Sequence, residues 1–179
     1  MSSTIDTLKS SIRGGGGLAR SNKWSVDIAK RISGIKAFEG VDGIVLAESV
    51  TLPGRTLGTS EYTTNRETLK TVYTFIDDPV TITFLLTNDY QTKKFFDAWM
   101  TEIIDPDTYR LGYKDTYAST VNIHQLDTTN KKIYNVTLEK AYPIVQSSIE
   151  LSNVTENDIT RLTVTFAYDR YIIDKSVDK

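Results

Sequence analysis

The sequence predicts a mainly β protein: antiparallel sheets that form a β-sandwich or barrel, one flanking α-helix, a long extended hairpin and a flexible N-terminal arm. The chain is rich in threonine (25 residues) and tyrosine (10), which suit pleated, half-exposed sheet surfaces better than helices. Apolar and polar residues alternate over several short segments, as in half-buried strands. One segment alone has the spacing of a convincing amphipathic helix.

The bulk composition narrows the possible functions. A length of 179 residues fits one domain with a sizeable core. The formal net charge of −2 provides no overall basic field for binding nucleic acid tightly. The absence of cysteine excludes disulfides, thiolate nucleophiles and thiolate metal sites. Neither a signal peptide nor a membrane-spanning run is recognisable, so we expect the chain to be made and folded in the cytoplasm.

The first segment, residues 1–17, is polar and ends in the glycine run Gly14 to Gly17. It can form a turn or two of helix, but so short a helix is marginal alone. A phosphate-binding loop would need G-x-x-x-x-G-K-[ST] between a strand and a helix. Here a polar arm precedes the glycines and a strand follows them. We therefore interpret the run as a hinge behind a flexible arm that orders only against a neighbour.

A single β domain is expected over residues 18–173, with a C-terminal tail at 174–179. Trp24, Val26 and Ile28 alternate with polar residues and predict the first strand. Residues 43–53 are apolar enough for a well-buried strand, which Pro53-Gly54 ends. The turns between these two strands are marked by Gly34, Gly40 and Gly43.

A polar segment follows at residues 54–69. It is too hydrophilic for a core and long for a simple connection. Because its threonines and tyrosine favour extended backbone, we interpret it as a long hairpin that needs a partner for support. Two further strands are predicted at 69–76 and 80–87. The turn Asp77-Asp78-Pro79 between them predicts that they form an antiparallel pair.

The predicted helix lies between this pair and the second half of the domain. Asn88 or Asp89 can cap its start, and Asp105-Pro106 ends it. Its apolar residues recur at i, i+3, i+4 and i+7, which favours packing on a sheet over lining a ligand site. These residues are Phe96, Trp99, Met100 and Ile103.

More strands are predicted after a tyrosine-rich loop. The last has the cleanest alternation in the chain, with Leu162, Val164, Phe166 and Tyr168 on one face. Seven or so strands around one helix indicate a sandwich or barrel with a helix on its flank. The segments concerned are 120–127, 132–144, 147–153 and 158–173.

No catalytic, cofactor-binding or metal-binding residue is predicted, and we do not expect an enzyme. The sole histidine, His124, lies in a strand pattern without a nucleophile motif. Asp105-Pro106-Asp107 ends a helix and Asp77-Asp78 makes a turn, so local structure accounts for both carboxylate pairs. A flexible arm, a long hairpin and a charged C-terminal tail instead favour an assembly role.

Three stretches of the sequence resemble the tail tube proteins of contractile-tailed phages. They are GGLARSNKWSVDI near the start, KKFFDAWM in the predicted helix, and AYPIVQSSIELS followed by DITRLTVTFAYDRY near the end. The resemblance runs in order from about Gly16 to Tyr171 and extends to the rings of contractile injection systems. It departs at Ser21, where the family often has proline, so the arm can leave the domain at another angle.

The resemblance implies a structural subunit of the inner tube, whose hexameric rings stack around a lumen that conducts DNA without specific binding. The implied partners are further copies of the chain, the tail sheath, and the baseplate and terminator proteins. The implied location is the virion, after assembly in the host cytoplasm and without membrane insertion or cofactors. We expect strand faces rich in threonine and aspartate to line the lumen, where they would avoid phosphate contacts.

The resemblance also implies assembly contacts at three places. The stretch leading into the first strand would lie at a subunit boundary, and the hairpin would contact the adjacent ring. The C-terminal strand, which ends in a charged tail, would also reach a neighbouring subunit. The expected interface residues are Leu18, Ala19, Arg20, Asn22, Arg55, Leu57, Tyr62, Arg66, Glu67, Arg170 and Tyr171.

Two alternatives remain open at this point. Within the same family, the chain can be a tube-initiating ring of the baseplate or a terminator ring. From a different class, it can be a small-ligand or carbohydrate-binding β-sandwich that uses the tyrosine-rich loop at 109–117.

Overall fold

A computed structural model describes residues 4–14, 17–32, 47–63, 66–152 and 159–173. The expected turns at Gly34, Gly40 and Gly43, the first part of the strand at 43–53 and the tail at 174–179 lie outside them. Within the described ranges there are three helices and nine strands. In chain order they are α1 (Thr4–Gly14), β1 (Trp24–Ile28), β2 (Ala47–Val50), β3 (Arg55–Thr63), β4 (Thr68–Asp77), β5 (Val80–Leu85), α2 (Gln91–Ile103), α3 (Lys114–Tyr117), β6 (Ser119–Leu126), β7 (Lys132–Gln146), β8 (Arg161–Ala167) and β9 (Arg170–Ile173).

The main sheet is antiparallel throughout, in the order β1-β6-β7-β8-β5-β2, and β9 pairs with β7 as well. The long strand β7 joins its two halves. Its first part pairs with β6 and β9, and residues 142–146 pair with β8. Between the two parts, Lys140 adopts a left-handed backbone with φ 52° beside a register shift. An extra residue of this kind bends a strand.

Both halves and α2 contribute to one apolar core. Alternate residues of β5 and β8 are buried, as the sequence pattern predicted for Leu162, Val164 and Phe166. On β1, Val26 and Ile28 are buried in the same way. The mainly β class with antiparallel sheets is therefore confirmed, and each strand's core face follows from its two-residue period.

The helix α2 packs into this core through aromatic side chains. Phe96 and Trp99 are fully buried, as predicted, and so is Phe95, which the predicted stripe missed; Met100 and Ile103 are only partly buried. The helix begins after Tyr90, in a left-handed conformation, and Asp89 accepts a hydrogen bond from the Gln91 amide at 3.5 Å. The Asp89 carboxylate thus accepts a hydrogen bond from the start of the helix, although it lies one residue before the N-cap position.

The predicted pairing of the strand at 69–76 with the strand at 80–87 is wrong. Among the described strands, β4 pairs only with β3 in a separate two-stranded sheet, whereas β5 lies between β2 and β8. The hairpin is accordingly longer than the predicted 54–69, since its second strand runs to Asp77. A two-residue link can join antiparallel neighbours, but Asp78-Pro79 here connects two different sheets.

Three other predicted strands differ in the structure. β2 is a half-exposed edge strand rather than a well-buried one. Residues 147–152 are not in a strand. The last predicted strand is divided at Tyr168-Asp169 into β8 and β9, because β9 crosses over to pair with residues 136–139 of β7.

The arm contains a longer helix than the expected turn or two. α1 spans eleven residues, and none of its side chains is buried. Among the described residues, no helix combines the length and apolar character needed to span a membrane.

Candidate assembly interface

The hairpin formed by β3 and β4 exposes apolar side chains along its whole length. A two-stranded sheet is at best marginally stable alone in water, and exposed apolar patches mark interaction surfaces. The hairpin therefore has the composition of a surface that another chain covers. The side chains that are more than half exposed are Leu57, Tyr62, Leu69, Val72, Tyr73, Phe75 and Ile76.

Both faces of the hairpin are apolar. Directly paired residues lie on the same face of a sheet, so Leu57 and Phe75 share one face, and Tyr62 and Leu69 share the other. Near the middle, the register shifts after Gly58. A Cβ at Gly58 would lie 2.6 Å from Thr74 Cγ2 and 3.2 Å from the Tyr73 ring, so a side chain there would displace Thr74 and crowd the ring.

The base of the hairpin is fixed by Arg55. Its guanidinium donates to both carboxylate oxygens of Asp77, at 2.6 and 2.9 Å. It also lies 4.6 Å from the ring centroid of Phe75 and 4.5 Å from that of Tyr171 on β9. The Asp77 hydrogen bond raises the pKa of Arg55 further above its ordinary value. Arg55, an expected interface residue, is thus engaged within its own chain and links the hairpin to the main sheet.

A tyrosine strengthens the same junction. Tyr168 donates its hydroxyl to the Asp78 carbonyl at 2.6 Å, and its ring meets Tyr171 edge to face. Burial is the main cause that raises the pKa of Tyr168 to about 12. On β9, Arg170 forms an ion pair with Glu139 of β7. The expected interface residues Arg170 and Tyr171 therefore also make contacts inside the chain.

The expected residues near the arm lie at a different place. Leu18, Ala19, Arg20 and Asn22 are exposed, and the first three line a depression of about 190 Å³ beside the β6–β7 turn. Gln125 holds this segment by donating to the Arg20 carbonyl at 2.8 Å. The structure thus joins the hairpin base to β9 and places the arm segment against another turn.

The remaining expected residues, and several that the sequence analysis missed, lie on the hairpin itself. Leu57, Tyr62, Arg66 and Glu67 are exposed. The missed residues belong to β4, which was interpreted as a strand of the body. The sequence did contain a pattern that indicates them. Apolar residues of β4 occur in adjacent positions, and so on both faces of the strand, whereas most of those of β5 alternate with polar residues. The missed residues are Leu69, Val72, Tyr73, Phe75 and Ile76.

The histidine and the carboxylates considered in the sequence analysis either interact with nearby residues or lie apart from one another. His124 is buried on β6 with Nε2 3.0 Å from Lys132 Nζ, and burial, followed by the Lys132 charge, lowers its pKa. Asp105 accepts hydrogen bonds from the Asp107 amide at 3.0 Å and the Thr108 hydroxyl at 2.6 Å, which is a local turn. The described ranges contain no cluster of three metal-ligating side chains.

The tyrosine-rich loop does not gather its rings at one place. Tyr109 and Tyr113 are 84% and 87% exposed, whereas Tyr117 turns into the core beside α2. Two rings in solvent and one in the core give no shared aromatic surface for a sugar or other small ligand.

A hydroxyl face covers the side of β5 and β8 that points away from α2. Thr81 and Thr165 are cross-strand partners with hydroxyls 3.2 Å apart, and those of Thr83 and Thr163 lie 3.1 Å apart. The core residues of the same strands, such as Phe166, contact Phe96 and Trp99 of α2 on the opposite side. The hydroxyls of this face belong to Ser49, which lies beside Thr83, and to Thr81, Thr83, Thr163 and Thr165. At the start of β8 the same face continues to Arg161, whose guanidinium forms an ion pair with Glu48.

The comparisons with known proteins agree with this architecture. A family model described as "Phage tail tube protein" matches residues 19–174. A chain from the sheath-tube complex of an extracellular contractile injection system is 15% identical, with 88% of this chain and 91% of that chain covered and a TM-score of 0.64. No curated protein matches the sequence.

Two further solved structures are similar to the same degree. A chain from the sheath/tube terminator of an extracellular contractile injection system is 14% identical, with 88% and 96% covered and a TM-score of 0.65. A chain from the tube-terminating cap of the anti-feeding prophage is 13% identical, with 88% and 91% covered and a TM-score of 0.65. At these identities the likeness establishes the fold.

Proposed function

The chain belongs to the phage tail tube protein family, and on that basis we propose that it is the main subunit of the inner tube of a contractile tail. In this proposal six copies close into a ring, rings stack into a tube, and DNA passes through the lumen. The role is structural rather than enzymatic. The observation that carries the proposal is the hairpin of β3 and β4, which is apolar on both faces and exposed.

The hairpin supplies the contact between stacked rings. Seven exposed apolar side chains on a firmly held base give a large surface whose burial favours association. The clamp of Arg55 on Asp77 and Tyr171 fixes the direction of the hairpin, so less conformational freedom is lost when it docks. Leu57, Tyr62, Arg66 and Glu67 belong to this contact, and Leu18 to Arg20 form part of another subunit boundary.

The hydroxyl face lines the lumen. Its threonines bond to one another across the strands and carry no charge, so they offer neither cations to bind phosphates nor carboxylates to repel them. This face is rich in threonine and holds no aspartate, and the charge of Arg161 at its edge is paired with that of Glu48. α2, on the opposite side of the same strands, faces outward to the sheath.

The remaining partners follow from the family. The tail sheath surrounds the tube, and baseplate and terminator proteins close its ends. Solved relatives of this fold come from sheath-tube, terminator and cap assemblies. The site of action is the virion, with assembly in the host cytoplasm.

A ring that starts or ends the tube is the second candidate. It is favoured by the likeness to the sheath/tube terminator and the tube-terminating cap, at a TM-score of 0.65 each. Such a protein would form single rings and offer only one face for stacking.

Electron microscopy of the purified full-length chain tests the proposal. Long, hollow tubes of uniform width support the tube subunit, isolated sixfold rings support the end ring, and a monomer at high concentration contradicts both. Leu69→Asp on the hairpin should abolish stacking because it places a charge in the ring contact. Tyr109→Asp, a change at a more exposed site outside the hairpin, is the control and should leave tubes intact.

A further inference from the structure

The helix α1 carries an apolar stripe whose side chains are not buried by the described part of the chain. Ile5, Leu8 and Ile12 recur at i, i+3 and i+7, and so lie along one side of the helix. Ile5 and Leu8 are 63% and 60% exposed, and Ile12 is partly buried. An isolated helix of eleven residues is marginal in water, so a helix of this length and pattern is stabilised by a surface that covers the stripe.

An apolar groove of about 370 Å³ lies on the main body, where the C-terminal end of α2 meets the second part of β7. Ile104 and Ile144, at its edges, are nearly half exposed. The groove is lined by Met100, Ile103, Ile104, Tyr142, Pro143 and Ile144.

The charges beside the stripe and the groove are complementary. Lys9 and Arg13 flank one side of the stripe together with Asp6, which leaves that side with a net positive charge. Asp105 directly follows Ile104 at the edge of the groove, and hydrogen bonds from Thr108 and the Asp107 amide lower the pKa of Asp105, which keeps it ionised. Opposite charges at the rim guide and orient a docking helix.

In this structure α1 does not fill the groove of its own chain, since none of its side chains is buried. Arg20 is held against Gln125, which pairs with Tyr134 near the start of β7. The groove lies eight to ten residues further along β7, about 30 Å at strand spacing. From Arg20, a fully extended link to Gly14 spans about 20 Å, and Leu8 lies about 9 Å further along α1. The stripe would therefore reach its own groove only with the link fully extended and in line with the helix.

We propose that α1 of one copy docks its Ile5–Leu8–Ile12 stripe in the α2–β7 groove of a second copy. Gly17, at φ 106°, adopts a backbone conformation that L side chains rarely adopt and lets the chain change direction behind the helix. The inference rests on the proposed function, since tube assembly brings copies side by side. It assigns the arm a specific binding site. The recognition mode is the one in which a short amphipathic helix fills an apolar groove.

The absence of cysteine makes a crosslinking test direct. Chains carrying Leu8→Cys are mixed with chains carrying Ile144→Cys, assembled and oxidised, and a disulfide-linked dimer is expected on a non-reducing gel. Ser10→Cys, on the opposite side of α1, mixed with the same partner is the matched control and should give little dimer. Ile5→Cys with Ile104→Cys is the second pair, used so that the result does not depend on one variant.

The outcomes separate the docking from the proposed function. A dimer from either apolar pair, with little from the Ser10→Cys control, supports the docking. Equal dimer from the control, no dimer from either pair, or only an intramolecular disulfide in the double variant Leu8→Cys/Ile144→Cys overturns it. Tubes seen by electron microscopy in samples without the dimer would leave the proposed function standing and remove the docking alone.

Discussion

Among single residues, Trp99 has the largest structural role in the core. It is fully buried, with the centroids of Phe95, Phe96 and Phe166 within 5.7 to 6.2 Å of its own. Its indole Nε1 donates to the Tyr117 carbonyl at 2.7 Å. One side chain thus joins the sheet, α2 and the loop that carries α3.

Trp99→Phe should lower the free energy of unfolding by about 2–4 kcal/mol. The substitution removes aromatic volume from a packed core and leaves the buried Tyr117 carbonyl without its donor. Urea unfolding measures the loss. Trp24→Phe, on the half-buried edge strand β1, is the control and should cost about 1 kcal/mol or less. Equal losses in the two variants would contradict the assigned role of Trp99.

His124 should make the domain sensitive to acid. Burial and the Lys132 charge lower its pKa in the folded state, and these outweigh Asp27 and Asn135, which act to raise it. The unfolded chain therefore binds the proton more readily, so stability present above pH 6.5 is lost as the pH falls through the folded pKa. NMR titration of this sole histidine should give a midpoint below 6.5, and His124→Gln should weaken the pH dependence. A midpoint at or above 6.5 would refute this account.

At the scale of elements, the hairpin is held mainly at its base. The Asp78 amide donates to the Gly54 carbonyl at 3.0 Å, next to the Arg55–Asp77 pair. Further out, the Glu61–Lys70 ion pair is fully on the surface, where such pairs contribute little. The direction of the hairpin therefore depends on the contacts of Arg55.

Arg55→Lys should loosen the hairpin base while preserving the charge. Lysine cannot donate in parallel to both Asp77 oxygens, nor stack flat between Phe75 and Tyr171. Hydrogen exchange of the Asp78 amide should become several-fold faster. Lys70→Ala, which removes the surface ion pair, should leave that amide unchanged. Identical exchange in Arg55→Lys and the parent chain would show that the clamp does not hold the base.

The elements differ in how far the sequence alone could predict them. β8 and α2 were predictable because burial imposes a strict period, visible at Leu162, Val164 and Phe166. β4 was predictable as a strand but not in its pairing, since apolar residues on both faces suit either a core or a covered hairpin. Residues 147–152 have strand-like composition, yet whether they pair depends on which edge the rest of the fold leaves open.

At the scale of the whole molecule, the candidate interface was only partly predictable. The hairpin could be located because residues 54–69 are too polar for a core and too long for a link. The contacts of Arg55 could not be predicted from the sequence, because Tyr171 is more than a hundred positions away. Only the fold places the Tyr171 ring beside the guanidinium. Long-range contacts of this kind depend on strand order, which local patterns do not encode.

The continuity of β7 has a mechanical consequence. One covalent strand is hydrogen-bonded to β6 and β9 at one end and to β8 at the other. A force that tends to slide one half of the sheet past the other is therefore carried as tension along a single backbone, and slip requires several ladder bonds to break together. An assembly of such subunits should therefore resist shear within each subunit, and under load it should break first at the contacts between subunits.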